Sequence, residues 1–164
     1  MKEKSLRPAN PNELAQIHGV CSELLTCRVG DQWLGISVSQ VQEVVSPMPC
    51  TSIPLADTLV TGLINLRGRV ISQLNIRLAV GLPASEDPHY RVAIVETDSG
   101  EAFGLMIDEV GEVIKLVAQD YEKTPKSLPK VWQDVSDGVL KRDGHVLVLM
   151  NVDSFIALTV AMAS

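Results

Sequence analysis

Three histidines and three cysteines are the residues of this chain best suited to chemistry, and their spacing limits what they can do. His18, His89 and His145 are scattered over the whole length. Neither the helical spacing nor the short loop spacing that brings metal ligands together is present. Cys21, Cys27 and Cys50 contain no Cys-x-x-Cys pair. Their odd number suits a reducing compartment better than a disulfide framework. Cys50 lies between prolines and could serve as a nucleophile, but no neighbour in sequence would lower its pKa. A Gly-x-Ser-x-Gly elbow and a phosphate-cradling P-loop are both missing. Hydrolysis by Cys50, or by a Ser/His/Asp set assembled from distant segments, is the alternative that the expectations below compete with.

A different chemistry is recognition by charge. The stretch "GLINLRGRVISQLNI", residues 62–76, is an apolar strand-like run broken by Leu-Arg-Gly-Arg. Gly68 eases a tight bend, because glycine takes positive φ without steric cost. Turn chemistry does not call for Arg67, since turns are built from Gly, Pro, Asn, Asp and Ser. A permanently charged, two-pronged donor at the lip of a hydrophobic hairpin suits pairing with a carboxylate of another protein.

The elements that would position it are mostly strands. "WLGISVS" (33–39) alternates, and "RVAIVET" (91–97) and "AFGLMID" (102–108) flank a turn at Asp98-Ser99-Gly100-Glu101. "GHVLVLMNV" (144–152) is apolar almost throughout, as a strand covered on both sides is. Frequent prolines and short strands predict an all-β barrel or sandwich, with "PASEDP" (83–88) as a mid-chain linker. Residues 1–22 read as a separate extension. Asn10, Pro11 and Glu13 form a helix start, and Leu14, Ile17 and Cys21 a short stripe, predicting a helix over about 11–21.

Composition narrows the function. Of 164 residues 46% are apolar, enough for one compact domain or two small ones sharing a core. The net charge of -6 and six scattered aromatics argue against nucleic-acid binding. No apolar run approaches a membrane span, and the N-terminus lacks a signal-peptide core, so a cytoplasmic protein is expected.

The two halves repeat each other. "LGISVSQVQEVV" (34–45) aligns with "FGLMIDEVGEVI" (103–114), and residues 62–76 align with "GVLKRDGHVLVLMNV" (138–152). Val41, Glu43 and Gly62 recur as Val110, Glu112 and Gly138, which gives each of them a partly structural reading. Arg67 aligns with Asp143, so the turn itself is expected to form without the guanidinium.

The motifs "WLGISVSQVQEVV", "VTGLINLRGRVIS", "FGLMIDEVGEVI" and "DGVLKRDGHVLVLMNV", in this order, resemble the CheW family of bacterial chemotaxis coupling proteins. The likeness runs from about Leu24 to Leu158. It implies a single domain over 23–164 built of two intertwined SH3-like β-barrels, with no catalysis, cofactor or metal. The implied partners are the cytoplasmic tip of chemoreceptors and the regulatory domain of a CheA-type histidine kinase. The setting would be arrays at the inner face of the membrane, without insertion into it. Val41, Glu43, Gly62 and Arg67 match family positions tied to that coupling. A CheW-like adaptor of a pilus, surface-sensing or second-messenger pathway is the nearest alternative. One departure is plain: where the family has proline, two apolar residues, aspartate and leucine, this chain reads Ser72-Gln73-Leu74-Asn75-Ile76. That departure puts local charge pairing in question.

Overall fold

The computed structural model describes residues 23–53, 59–142 and 144–163. The helix expected over 11–21 and the position of Asp143 lie outside these residues. Twelve strands dominate: β1 (Glu23–Val29), β2 (Gln32–Ser37), β3 (Val41–Val45), β4 (Cys50–Thr51), β5 (Val60–Leu66) and β6 (Arg69–Asn75) are followed by β7 (Arg91–Glu96), β8 (Ala102–Ile107), β9 (Glu109–Lys115), β10 (Tyr121–Glu122), β11 (Ser136–Arg142) and β12 (His145–Met150). They form two six-stranded sheets, ordered β10-β11-β12-β2-β1-β9 and β3-β7-β8-β6-β5-β4. The chain therefore lays two strands in the first sheet, six in the second, and returns for the last four. The all-β architecture is as expected, and the sheets interlock because the first takes its strands from both ends of the second's unbroken run.

Advancing every strand number by six converts one sheet order into the other. β2 lies parallel to β12 as β8 lies parallel to β6, and β1 pairs with β9 as β7 pairs with β3. The aligned segments 34–45 and 103–114 are β2–β3 and β8–β9, and both carry the chain from one sheet to the other.

Burial explains the apolar runs. Along β12, Leu147 and Leu149 point into a small core inside the first sheet, while Val148 and Met150 join a large core shared by both sheets. Along β7, Val92 and Ile94 fill the inside of the second sheet, and Ala93 and Val95 reach the same shared core. A strand with a core on each face reads as continuously apolar rather than alternating. β2 follows suit: Leu34 and Ile36 enter the shared core, and Gly35 lies close under Leu24 and Leu147.

Three helices complete the described chain: α1 (Ile76–Ala79), α2 (Lys130–Asp134) and α3 (Val152–Ala163). No helix among the described residues is long and apolar enough to cross a membrane. α1 and α3 occupy matching places after β6 and β12. Each is capped by an asparagine: Leu78 N donates to Asn75 Oδ1 at 3.3 Å, and Ser154 N to Asn151 Oδ1 at 2.9 Å. α3 is an element that the sequence reading did not foresee. The spacing of Val152, Phe155, Ile156 and Thr159, all buried, was its signal. At the Asn75 departure, Asn75 caps α1 and Arg77 Nη1 pairs with Asp108 Oδ2 at 2.5 Å.

Candidate partner-binding site

Arg67 and Gly68 form the two-residue turn between β5 and β6, with φ of 50° and 88°. Two consecutive positive φ values define the hairpin turn that follows strand twist, which glycine or asparagine enters most easily. Arg67 is the sole non-glycine residue at positive φ among those described. Asn65 steadies the turn, its Oδ1 accepting from Gly68 N at 2.9 Å.

The tip bends across to β3, the far edge of the same sheet. Arg67 Nη1 donates to Glu43 Oε2 at 2.6 Å and Nη2 to Oε1 at 2.7 Å, the parallel two-pronged geometry suited to a carboxylate. The hydrogen bonds from Arg67 hold the Glu43 carboxyl below its ordinary pKa, and Glu43 pushes the guanidinium up in return. A second tie runs beside the first. Arg69 Nη1 donates to Gln42 Oε1 at 3.3 Å, and Gln42 Nε2 to Glu96 Oε2 at 2.6 Å. Together these contacts latch the hairpin onto β3 and close that end of the barrel.

The expected partner for the Arg67 fork was a carboxylate of another protein; the structure supplies one within the chain. The two readings are compatible in chemistry. A guanidinium has five N–H donors, of which Glu43 takes two, and the Arg67 side chain stays 70% exposed. Val70, three residues on in the same hairpin, is 65% exposed and leaves an apolar side chain open beyond the turn.

Val41 and Gly62 stand differently. Val41 begins β3 opposite Val95 and is half-buried against the shared core. Gly62 lies five residues before Arg67, at φ 148° in a bulge of β5. A Cβ there would collide with the Thr51 carbonyl and come within 2.9 Å of Cys50 Sγ. Its bareness lets β4 lie against β5. The structure thus joins Glu43 to Arg67, sets Val41 behind them, and gives Gly62 a backbone role. Gln42, Arg69 and Glu96 were missed. Arg69 was in view in Leu-Arg-Gly-Arg, but its contact with Gln42 spans 27 positions and no local pattern announces it.

Catalytic equipment is sparse among the described residues. Burial pushes the Cys27 thiol up to about 12, which keeps it protonated and unreactive. Cys50 Sγ has Thr61 Oγ1 as its polar neighbour at 3.7 Å, which is no base. Among the described residues no group of His, Cys, Asp or Glu could hold a metal ion.

Comparison with known proteins adds a consistent set of likenesses. The model of the CheW-like domain matches residues 23–159. The chain is 31% identical to a chemotaxis protein CheW of Rhizobium meliloti over 80% of its own length and 85% of that protein. With a CheW of Thermotoga maritima it shares 25% identity, covering 82% and 87% of the two chains. Its fold follows the crystal structure of the scaffolding protein TtCheW from Thermoanaerobacter tengcongensis with a TM-score of 0.71 at 24% identity, over 79% of this chain and 88% of that one.

Proposed function

The chain belongs to the CheW family, and from that premise we propose that it is a chemotaxis adaptor coupling chemoreceptors to a CheA-type histidine kinase without chemistry of its own. The observation that carries this reading to particular residues is the Glu43–Arg67 latch, with exposed Val70 in the same hairpin. It offers a pre-ordered guanidinium, spare donors and an apolar neighbour, the mixture from which a side-by-side contact with a helical partner is made. Glu43 and Arg67 are contact residues in this reading. Val41 and Gly62 are positioning residues that fix β3 and β4. The partners are the cytoplasmic tip of a chemoreceptor and the regulatory domain of the kinase. The protein is cytoplasmic and reaches the membrane's inner face through the receptors it binds. Residues 23–164 form one domain of two barrels that are copies of a six-strand unit, with 1–22 as an extension. The six-strand shift between the sheet orders supports that division.

Co-sedimentation with receptor-bearing membranes and the kinase tests the adaptor role. The chain is expected in the pellet, with kinase activity raised, and Cys50→Ser is expected to behave as the unaltered protein. A folded Cys50→Ser variant that pellets normally but no longer supports the kinase would bring back a thiol-dependent activity. A chain that never pellets would remove the adaptor reading.

A further inference from the structure

The two barrel ends related by the six-strand shift are not alike. One is closed by the latch from Arg67 to Glu43. At the other, Glu112 on β9 takes the place of Glu43, and the residue aligned with Arg67 is Asp143, an acid that cannot pair with a carboxylate. No ion pair among the described residues involves Glu112. Between β9 and the β11–β12 hairpin an open groove of about 410 Å³ remains. Its floor is Thr26, Trp33, Ile114 and Leu147, and its rim carries Glu112, Arg142 and His145. Trp33 and Ile114 are only half-buried there, although they pack on the small core around Leu24 and Leu149.

We propose that this groove is the docking site of the chain's own N-terminal segment, residues 10–21, entering with Leu14, Ile17 and Cys21. Two observations select this occupant. The first is the tether: the described chain begins at Glu23 in β1, the strand that supplies Thr26 to the groove and whose Leu24 pairs with Ile114. A covalently attached segment acts at an effective concentration in the millimolar range, so modest affinity suffices. The second is length. The floor crosses four adjacent strands, β12, β2, β1 and β9, about 14 Å at a spacing of ~4.8 Å. Twelve helical residues span about 18 Å. A helix this short is marginal alone and gains stability by laying its apolar stripe on a floor of Trp33, Ile114 and Leu147. The proposal does not depend on which partner uses the Arg67 end.

The test uses the full chain. In a Leu14→Asp/Ile17→Asp variant, the backbone and indole NMR signals of Thr26, Trp33, Gly111 and Ile114 should move while those of the β5–β6 turn stay. Amide exchange over 11–21 should accelerate at least about tenfold. Trp33→Ala, acting from the groove side, should give the same acceleration. Groove signals that do not move, or amides 11–21 that already exchange at the rate of an unstructured chain, would overturn the proposal. Shifts that scale with protein concentration would place a second copy in the groove. Groove signals that respond only to added receptor or kinase fragments would place a foreign partner there. Either result also overturns it.

Discussion

Arg67 holds a backbone conformation that costs an L-residue energy, and it spends its side chain on Glu43. Arg67→Gly relieves the first and forfeits the second. The melting temperature should then move by no more than about 2–4 °C, since a two-pronged but exposed ion pair contributes little to stability. Receptor or kinase affinity should fall about tenfold or more, and Arg67→Lys should recover only part of it, because an ammonium cannot reproduce the planar fork. Melting curves and binding titrations on both variants check this, and affinity that follows stability would count against a contact role. The latch also has a pH signature. Glu43 has a folded pKa below its ordinary 4.5, so its contribution is present above that value and lost only as pH falls through the lower folded one. Side-chain NMR should therefore show the Glu43 titration moving to higher pH when Arg67→Gly removes the guanidinium.

At the scale of elements, two bulges do equivalent work. Gly62 in β5 and Gly138 in β11 both have positive φ, at 148° and 130°, and each lies under a two-residue strand. A Cβ on Gly138 would run into the Tyr121 ring, as one on Gly62 would into β4. Gly62→Ala should cost about 2 kcal/mol or more, through strain and displacement of β4. Its binding loss should track its stability loss, unlike that of Arg67→Gly, and paired denaturation and binding measurements separate the two. The α3 cap supplies a further test. Asn151 Nδ2 donates to Asp137 Oδ1 and Oδ2 at 3.1 and 3.2 Å, yet burial keeps the Asp137 carboxyl above its ordinary 3.8. A raised carboxyl favours the folded state when protonated, and that advantage is lost as pH rises through the folded value. Asp137→Asn should therefore unfold at higher denaturant than the parent at neutral pH, with the difference shrinking toward pH 3.8.

Across the whole molecule the shared core controls cooperativity. Cys27, Leu34 and Val148 from one sheet meet Leu74, Val95 and Leu105 from the other, and Phe155 and Ile156 of α3 pack into the same cluster. Neither barrel can open without exposing this cluster, so the two should unfold in one transition. Phe155→Ala should cost about 3–5 kcal/mol and lower that single transition for both barrels. Tryptophan fluorescence reports on Trp33 and Trp132, in the part of the chain that builds the first sheet, and far-UV dichroism on all strands; the two curves should coincide. Separate midpoints would mean that the barrels are independent.

The sequence by itself determined the strands, the turns and the repeat. These are short-range properties: apolar runs bounded by Gly and Pro, and two segments alike in order and spacing. The site was half legible. Arg67 stood out because its residue type does not suit its turn, and Glu43 because it belongs to the repeated motif. Their partnership was not legible, because it joins positions 24 apart through a hairpin that folds over the sheet. The same limit hid α3, whose apolar spacing becomes meaningful only beside the shared core it fills. Tertiary structure alone decided that one barrel end is latched, while at the other Glu112 has no ion pair among the described residues. That outcome depends on which side chains meet across strands distant in sequence, and local pattern carries no term for such meetings.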